Sequence, residues 1–457
     1  MKSRARRRVT ARYNWDRLKV SFWFAPLVMA VAAILLARVM AWVDVRIPNE
    51  MLENSNLVLS GTVSELRSTL VTIATTTLAT AGVVFTLLTL PLSTVAAQYG
   101  SRLLRLFLGD RTTQFVLGMF VGTFVYCLAA ATSIPPVDVT LPIQPQGPQI
   151  SATVGLFLMI ATFASLILLV QHVSTMLQAP NIAAAAGAQL LDVVGTEIPD
   201  EVRSGDDLSQ TGQGAPEPLV ETAGYPVCVR DTGYIQYIDP EYMLVLARES
   251  NLVIRLLHKP GHFVWSGTVV ALVWPAGRVD ARLDEQIRHA FRLGNLRTPT
   301  EDVEYAVNQL VEMAVRAMSP AINDPFTAMT CLDHLRNGLA LFAQRREEAP
   351  NIYDGKGQLR LVFEPVTFDE LLSATFDMLR HASCDNASVL LHMLEVIDAI
   401  GQETKSPEAR QKLLRHVGLI QAESQAGALI EEDRKLIQRS AEALHSKLAK
   451  TSFEDAA

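Results

Sequence analysis

The sequence predicts an α-helical integral membrane protein with four transmembrane helices, followed by a cytoplasmic α+β region. That region comprises a small β barrel-sandwich-like module and a helical domain. Three observations lead there. Four apolar stretches are long enough to cross a bilayer core, which takes ~20 residues. Charged residues make up 19% of the chain, against roughly 25% in an average soluble protein, and the deficit is concentrated in residues 1–176. Beyond residue 180 the composition is that of an ordinary soluble sequence, with alternating patterns followed by capped helical ones.

Residues 1–19 form a basic N-terminus, with eight Lys and Arg against Asp16 alone. The transmembrane domain covers 20–180, with spans at about 20–43, 70–97, 113–134 and 154–176. No small-residue cleavage site follows the first span, so it reads as a retained helix rather than a signal peptide. The loop between spans two and three carries Arg102, Arg105 and Arg111 against Asp110, while the other two loops are net acidic. The positive-inside rule then places both termini in the cytoplasm. Arg38 is the one charge within a span, and its long side chain can reach the outer surface by snorkelling.

The second span opens at a capping box, Thr62 to Glu65, so its helix starts outside the hydrocarbon. Running to about Ala97, it reaches about 50 Å at 1.5 Å per residue, longer than the bilayer core. Pro91 removes one backbone hydrogen bond and predicts a kink. Hydroxyls recur along it: Thr72, Thr75, Thr76, Thr77, Thr80, Thr86, Thr89, Ser93 and Thr94. At roughly 100° per residue, all but Thr77 and Thr89 fall on one side. Thr72, Thr76, Thr80, Thr86, Ser93 and Thr94 are therefore candidates to line a pore or to pack against another helix. In the third span, Gly118 and Gly122 have the spacing for close helix approach, within one chain or between chains.

Residues 181–221 read as a helix and a flexible linker, with RSGDDLSQTGQGAPEP at 203–218. The β-rich module spans 222–276 and contains a short helix capped by Asp239 ahead of Pro240. A carrier domain of the barrel-sandwich type would show a lysine on its tight turn, but Val273 to Ala276 provides none. The helical domain fills 277–457. Its helix starts are marked at Thr298 to Glu301, Thr367 to Glu370, and Ser406 with Pro407, and a hairpin is expected near Asp354 and Gly355.

Chemistry is sparse. HExxH, Walker, GxGxxG and GxSxG motifs are absent, and the four cysteines form no CxxC pair. No catalytic residue, metal site or cofactor is expected. His258 and His262 are four apart, but Pro260 and Gly261 between them rule out a shared helix face. The acidic second half argues against nucleic acid as a partner. The densest polar cluster is FRLGNLRTPTED at 291–302, taken with SPAINDP at 319–325. Both read as connections bracketing one helix, so they lie at its opposite ends. Arg297, Glu301, Asp302, Asn323 and Asp324 are the candidate interface or ligand contacts. Two caps are expected in MSPAINDPF, Ser319 before Pro320 and Asp324 before Pro325, the latter bonding near Thr327.

The stretch AAQYGSRLLRLFLGDRTTQFVLGMFVGTFVYCL, the module GYIQYID with PGHFVWSGT, and RTPTEDVEYAVNQLVEMAVRAMSPAINDPFTAMTCLDHL occur in an order that carries a resemblance. The chain resembles the bacterial predicted membrane proteins grouped as domain of unknown function 2254. The resemblance covers nearly the whole chain. It implies a multi-pass bacterial inner-membrane protein and carries no catalytic residues across. The expectation is a homo-oligomeric channel-like or transport protein rather than an enzyme, acting on ions or a small ligand. The alternative is a membrane-anchored binding or regulatory protein whose helices only anchor it.

Overall fold

The computed structural model describes residues 23–46, 58–99, 110–133, 148–197, 223–298, 301–345, 350–404 and 406–454, with side chains at 90–92, 94–99 and beyond 449 left aside. The basic N-terminus and the 203–218 linker lie outside these residues. The chain divides at Asn181 and Ile182 into two units.

In the first unit, α1 (Phe24–Arg46), α2 (Val63–Tyr99), α3 (Arg111–Ser133) and α4 (Gln149–Met176) are each long and apolar enough to cross a membrane. Helix α3 is the most buried of the four and packs against the other three. Its glycines explain how. A Cβ on Gly118 would collide with the Met29 thioether, and one on Gly122 would sit 3.6 Å from the Met29 carbonyl oxygen. The small-residue spacing is therefore used inside one chain, to seat α3 on α1. On the other side of α3, Thr123 and Thr162 share a buried hydroxyl hydrogen bond of 2.7 Å with α4. Tyr126, fully buried, donates to the Ser151 carbonyl at 3.0 Å.

Helix starts in this unit borrow carboxylates. Thr62 and Glu65 bond reciprocally at the head of α2, as the capping box predicts. Helix α4 has no cap of its own; Asp44, from the end of α1, accepts the Ile150 amide at 2.8 Å and the Ser151 amide at 3.1 Å. Asp110 caps α3 through the Thr113 amide at 2.7 Å and meets His172 of α4 at 3.0 Å. The helical backbone of α2 continues through Pro91 to Tyr99.

The second unit contains most of α5 (Ala179–Glu197), then two small sheets and eight further α-helices among the described residues. A five-stranded sheet has the order β1 (Tyr225–Cys228), β5 (Val269–Trp274), β3 (Val253–Leu256), β8 (Leu359–Val362), β7 (Asn351–Tyr353). All its pairings are antiparallel except β3 with β8. A three-stranded sheet has the order β4 (Phe263–Val264), β2 (Gly233–Ile238), β6 (Phe291–Gly294). The sheets thus draw on chain beyond residue 276: the hairpin expected around Asp354 and Gly355 forms from β7 and β8 and joins the larger sheet through Ile254 opposite Leu361. Residues 291–294, expected as part of a helix connection, form a strand because Phe291 is buried and the main chain completes the ladder with β2.

Helices α6 (Pro240–Ser250) and α7 (Ala281–Arg288) share one core with both sheets, built on Ile235, Met243, Leu246, Ile254, Val264, Val273 and Ile287. Each such side chain is worth about 1.5–3 kcal/mol on full burial. The helical part comprises α8 (Val303–Ala317), α9 (Pro325–Gln344), α10 (Phe368–Ala382), α11 (Ala387–Glu403), α12 (Pro407–Ala426) and α13 (Glu431–Glu454). Caps at Asp239, Thr367 and Ser406 stand where the sequence places them. The start expected near Thr298 moves to Asp302, which accepts the Tyr305 amide at 2.8 Å. Helix α5 lies against α9, where a Cβ on Gly338 would strike Leu190 and one on Gly187 would strike His334.

Candidate functional site

Two places collect the candidate residues, one in each unit. The first is the hydroxyl face of α2. Thr72, Thr76, Thr86 and Ser93 are exposed on the bundle surface, Thr80 is half-buried, and the Thr94 side chain is outside the description. Of the two threonines that the helical spacing sets apart from this face, Thr77 is buried at 1% exposure and Thr89 is exposed. The face therefore points away from the chain's own helices.

The hydroxyl hydrogens turn inward. Thr72 donates to the Ser68 carbonyl at 2.8 Å, Thr75 to Val71 at 3.0 Å, Thr80 to Thr76 at 2.9 Å and Thr86 to Gly82 at 3.1 Å. A carbonyl can only accept, so these hydroxyls have spent their donor and present lone pairs outward. Thr72, Thr75, Thr80 and Thr86 therefore meet their surroundings as acceptors. Glu65 stands seven residues before Thr72 and eleven before Thr76, two and three helical turns away, so it heads the same face.

The second place surrounds a cavity of about 230 Å³ in the second unit. Leu256, Val303, Phe342, Leu361 and Phe363 give it an apolar wall; His258, Lys259, Glu301 and Glu364 form its polar side. The lip is the segment from His258 to His262. Gly261 adopts φ +92°, and a Cβ there would strike Asp302 and come within 2.8 Å of Arg297. The Gly261 amide donates to the Ile235 carbonyl at 2.8 Å, and the Ile235 amide to the His262 carbonyl at 2.9 Å. Lys259 reaches Glu370 of α10 at 2.7 and 2.9 Å.

Beneath the lip, Arg297 grips Asp302 with Nε to Oδ2 at 2.7 Å and Nη2 to Oδ1 at 2.8 Å, and Glu304 stands 3.5 Å from the same guanidinium. The flanking carboxylates hold Arg297 above its usual range even though burial pulls the other way. His258 and His262, set apart by the sequence reading, face each other with Nδ1 to Nδ1 at 3.3 Å. Burial, then the neighbouring His258 and Lys259, push His262 below its ordinary value. Among the described residues no group of three or more metal-binding side chains assembles.

Arg297, Glu301 and Asp302 thus come together at the start of α8, with Glu301 accepting the Ile238 amide at 3.3 Å. Asn323 and Asp324 sit at the other end of that 15-residue helix, about 22 Å away at 1.5 Å per residue. Asp324 caps α9 through the Thr327 amide at 3.1 Å, and Asn323 takes φ +49°. No helix begins at Pro320: Ser319 instead closes a turn through its carbonyl to the Ile322 and Asn323 amides. The cap expected at Ser319 is therefore replaced by one turn, because the chain must reverse before Asp324 can start α9. The sequence offered no signal for the Lys259–Glu370 bridge or the cavity, which depend on residues more than 100 apart.

The profile of a predicted membrane protein family, DUF2254, matches residues 19–399. An uncharacterised protein of Mycobacterium bovis is 26% identical over 390 residues, covering 83% of this chain and 72% of its own length. An uncharacterised protein of Mycobacterium tuberculosis is similar to the same extent. No solved structure matches the chain. With its four apolar helices and a profile match running through the bundle, both sheets and most of the helical part, the chain belongs to the DUF2254 family of predicted membrane proteins.

Proposed function

We propose that this protein is an oligomeric, channel-like protein of the bacterial inner membrane, in which copies of α2 bring their hydroxyl faces together around a path for cations. The observation that carries this reading is the exposed acceptor face of α2. Four helices leave no room for a pore inside one chain, and a symmetry axis is where such faces converge. Hydroxyls that show only lone pairs favour cations over anions, and Glu65 adds a carboxylate at the head of the row. Basic residues at 1–19 and 102–111 support a cytoplasmic placement of both termini and of the second unit.

The test is conductance of the purified full chain in planar bilayers under a KCl gradient. A reversal potential on the cation side is expected, with Thr76→Leu and Thr86→Leu reducing the current. Absence of current from an oligomer sinks the channel reading; an anion-selective current sinks the cation assignment alone.

The cavity favours a second reading, in which the second unit binds a small amphiphile with an apolar body against Phe342 and Phe363. Its volume corresponds to about eight waters at ~30 Å³ each. A thermal-shift screen of small amphiphiles on the full chain, with Ile352→Trp filling the cavity as control, tests it. Shifts that survive the filling would refute it.

A further inference from the structure

The lip of the cavity carries a charge arrangement that the apolar wall does not need. Two imidazoles meet through their Nδ1 atoms at 3.3 Å, and a single hydrogen can lie between those atoms. One neutral ring must accept what the other donates. A second proton on the pair puts hydrogens on both facing nitrogens and breaks the contact.

The surroundings of His262 are mixed. Lys259 on the same segment and Arg297 beneath oppose its protonation, while Glu304 of α8 favours it. Asp302 is spent on Arg297, Glu301 accepts the Ile238 amide, and Glu370 of α10 is spent on Lys259. Burial, the facing His258 and the two cations outweigh Glu304, so the closed lip resists protonation of His262. The segment's main chain is fixed to β2 by the two bonds between Ile235 and residues 261 and 262. His258, Lys259 and Pro260 are at the same time cavity-lining residues.

We propose that residues 258–262 form an acid-sensitive lip: once hydrogens stand on both facing Nδ1 atoms the rings part, the segment is freed from Ile235 and the cavity opens. The sign follows from the direction of the His262 shift. The open segment takes up protons below the ordinary value of 6.5 while the closed one resists, so closure is complete above that pH and is lost as pH falls through and below it. The device depends on the cavity and its lip, and not on whether the membrane helices conduct.

Hydrogen exchange of the full chain in nanodiscs tests it, read as protection factors so that the intrinsic pH dependence of exchange is removed. Between pH 7.5 and 5.5 the protection of the Gly261 and Ile235 amides, which hold the segment to β2, is expected to fall on the order of tenfold. Protection within α11, read at Leu390 and Ile397, is expected to hold. His262→Gln should retain the protection seen at pH 7.5 and abolish the fall. His258→Gln serves as the second variant, should His262→Gln fail to fold. A wild-type lip whose protection does not change with pH overturns the proposal, and so does a fall that persists in these variants. A fall matched by equal loss in α11 would overturn it too, because it would report global unfolding.

Discussion

Asp302 does two jobs with one carboxylate: it is gripped by Arg297 through two hydrogen bonds of 2.7 and 2.8 Å, and it caps α8 through the Tyr305 amide. The side chain is 3% exposed, so neither role can be handed to water. Removing one partner of a buried pair strands the other. Asp302→Ala is therefore expected to cost about 3 kcal/mol of stability, the lower end of the range for such pairs because Arg297 keeps some solvent contact. Arg297→Lys keeps the charge but loses the fork and should cost about 1–2 kcal/mol by that same reasoning. Denaturant titration of the two variants checks the order; equal, negligible costs would remove the pair from the account.

At the far end of α8, Asp324 is a cap and nothing in its surroundings assigns it chemistry. Asp324→Ala should lower stability by ~1 kcal/mol. Asn323→Gly should be tolerated, because glycine occupies a left-handed backbone without strain. Melting temperatures measure both. An unchanged melting temperature in Asp324→Ala together with lost cellular function would turn the loop into a site.

In the bundle, Gly118 and Met29 occupy the same space. Gly118→Val is expected to destabilise the α1 to α3 contact by about 1–3 kcal/mol through overpacking. Met29→Ala in the same chain should restore part of the loss, since the two positions share a contact. Gly122→Ala, with its added Cβ at ordinary contact distance, should be nearly silent. Unfolding in detergent by thermal ramp reads the series; no rescue by Met29→Ala would mean the helices are not seated as described.

His416 is fully buried on α12 against Phe376, with neither ring nitrogen hydrogen-bonded and Asp377 4.0 Å away. Burial pushes it below its ordinary value. The unfolded chain then takes up protons below pH 6.5 that the folded one refuses, so stability is full above that pH and falls as pH drops through it. His416→Leu should flatten the loss of stability between pH 7 and 5. A slope identical to that of the parent chain would assign the acid sensitivity to other groups.

The legible parts of this protein were those written in local chemistry. Apolar length gave the four membrane helices, and short side chains ahead of helical runs gave the caps at Thr62, Asp239, Asp324, Thr367 and Ser406. Threonine spacing separated Thr77 from the exposed face, because a helix of known pitch fixes which residues share a side. What the sequence could not convey were pairings between distant residues. Asp44 capping α4, β8 joining β3, and Lys259 meeting Glu370 each depend on tertiary folding. The start of α8 lies four residues past the box at Thr298, at Asp302, whose carboxylate is also held by Arg297.

The proposed channel requires the hydroxyl faces of α2 from different copies to meet around one axis. Disulfide trapping in native membranes tests it, using a chain in which Cys127, Cys228, Cys331 and Cys384 are replaced by alanine. Thr76→Cys and Thr86→Cys are expected to give cross-linked oligomers under mild oxidation, whereas Leu168→Cys, exposed on α4, should remain monomeric. Efficient cross-linking through Leu168→Cys with none through Thr76→Cys or Thr86→Cys would contradict the account, because it would leave the hydroxyl face of α2 turned toward lipid.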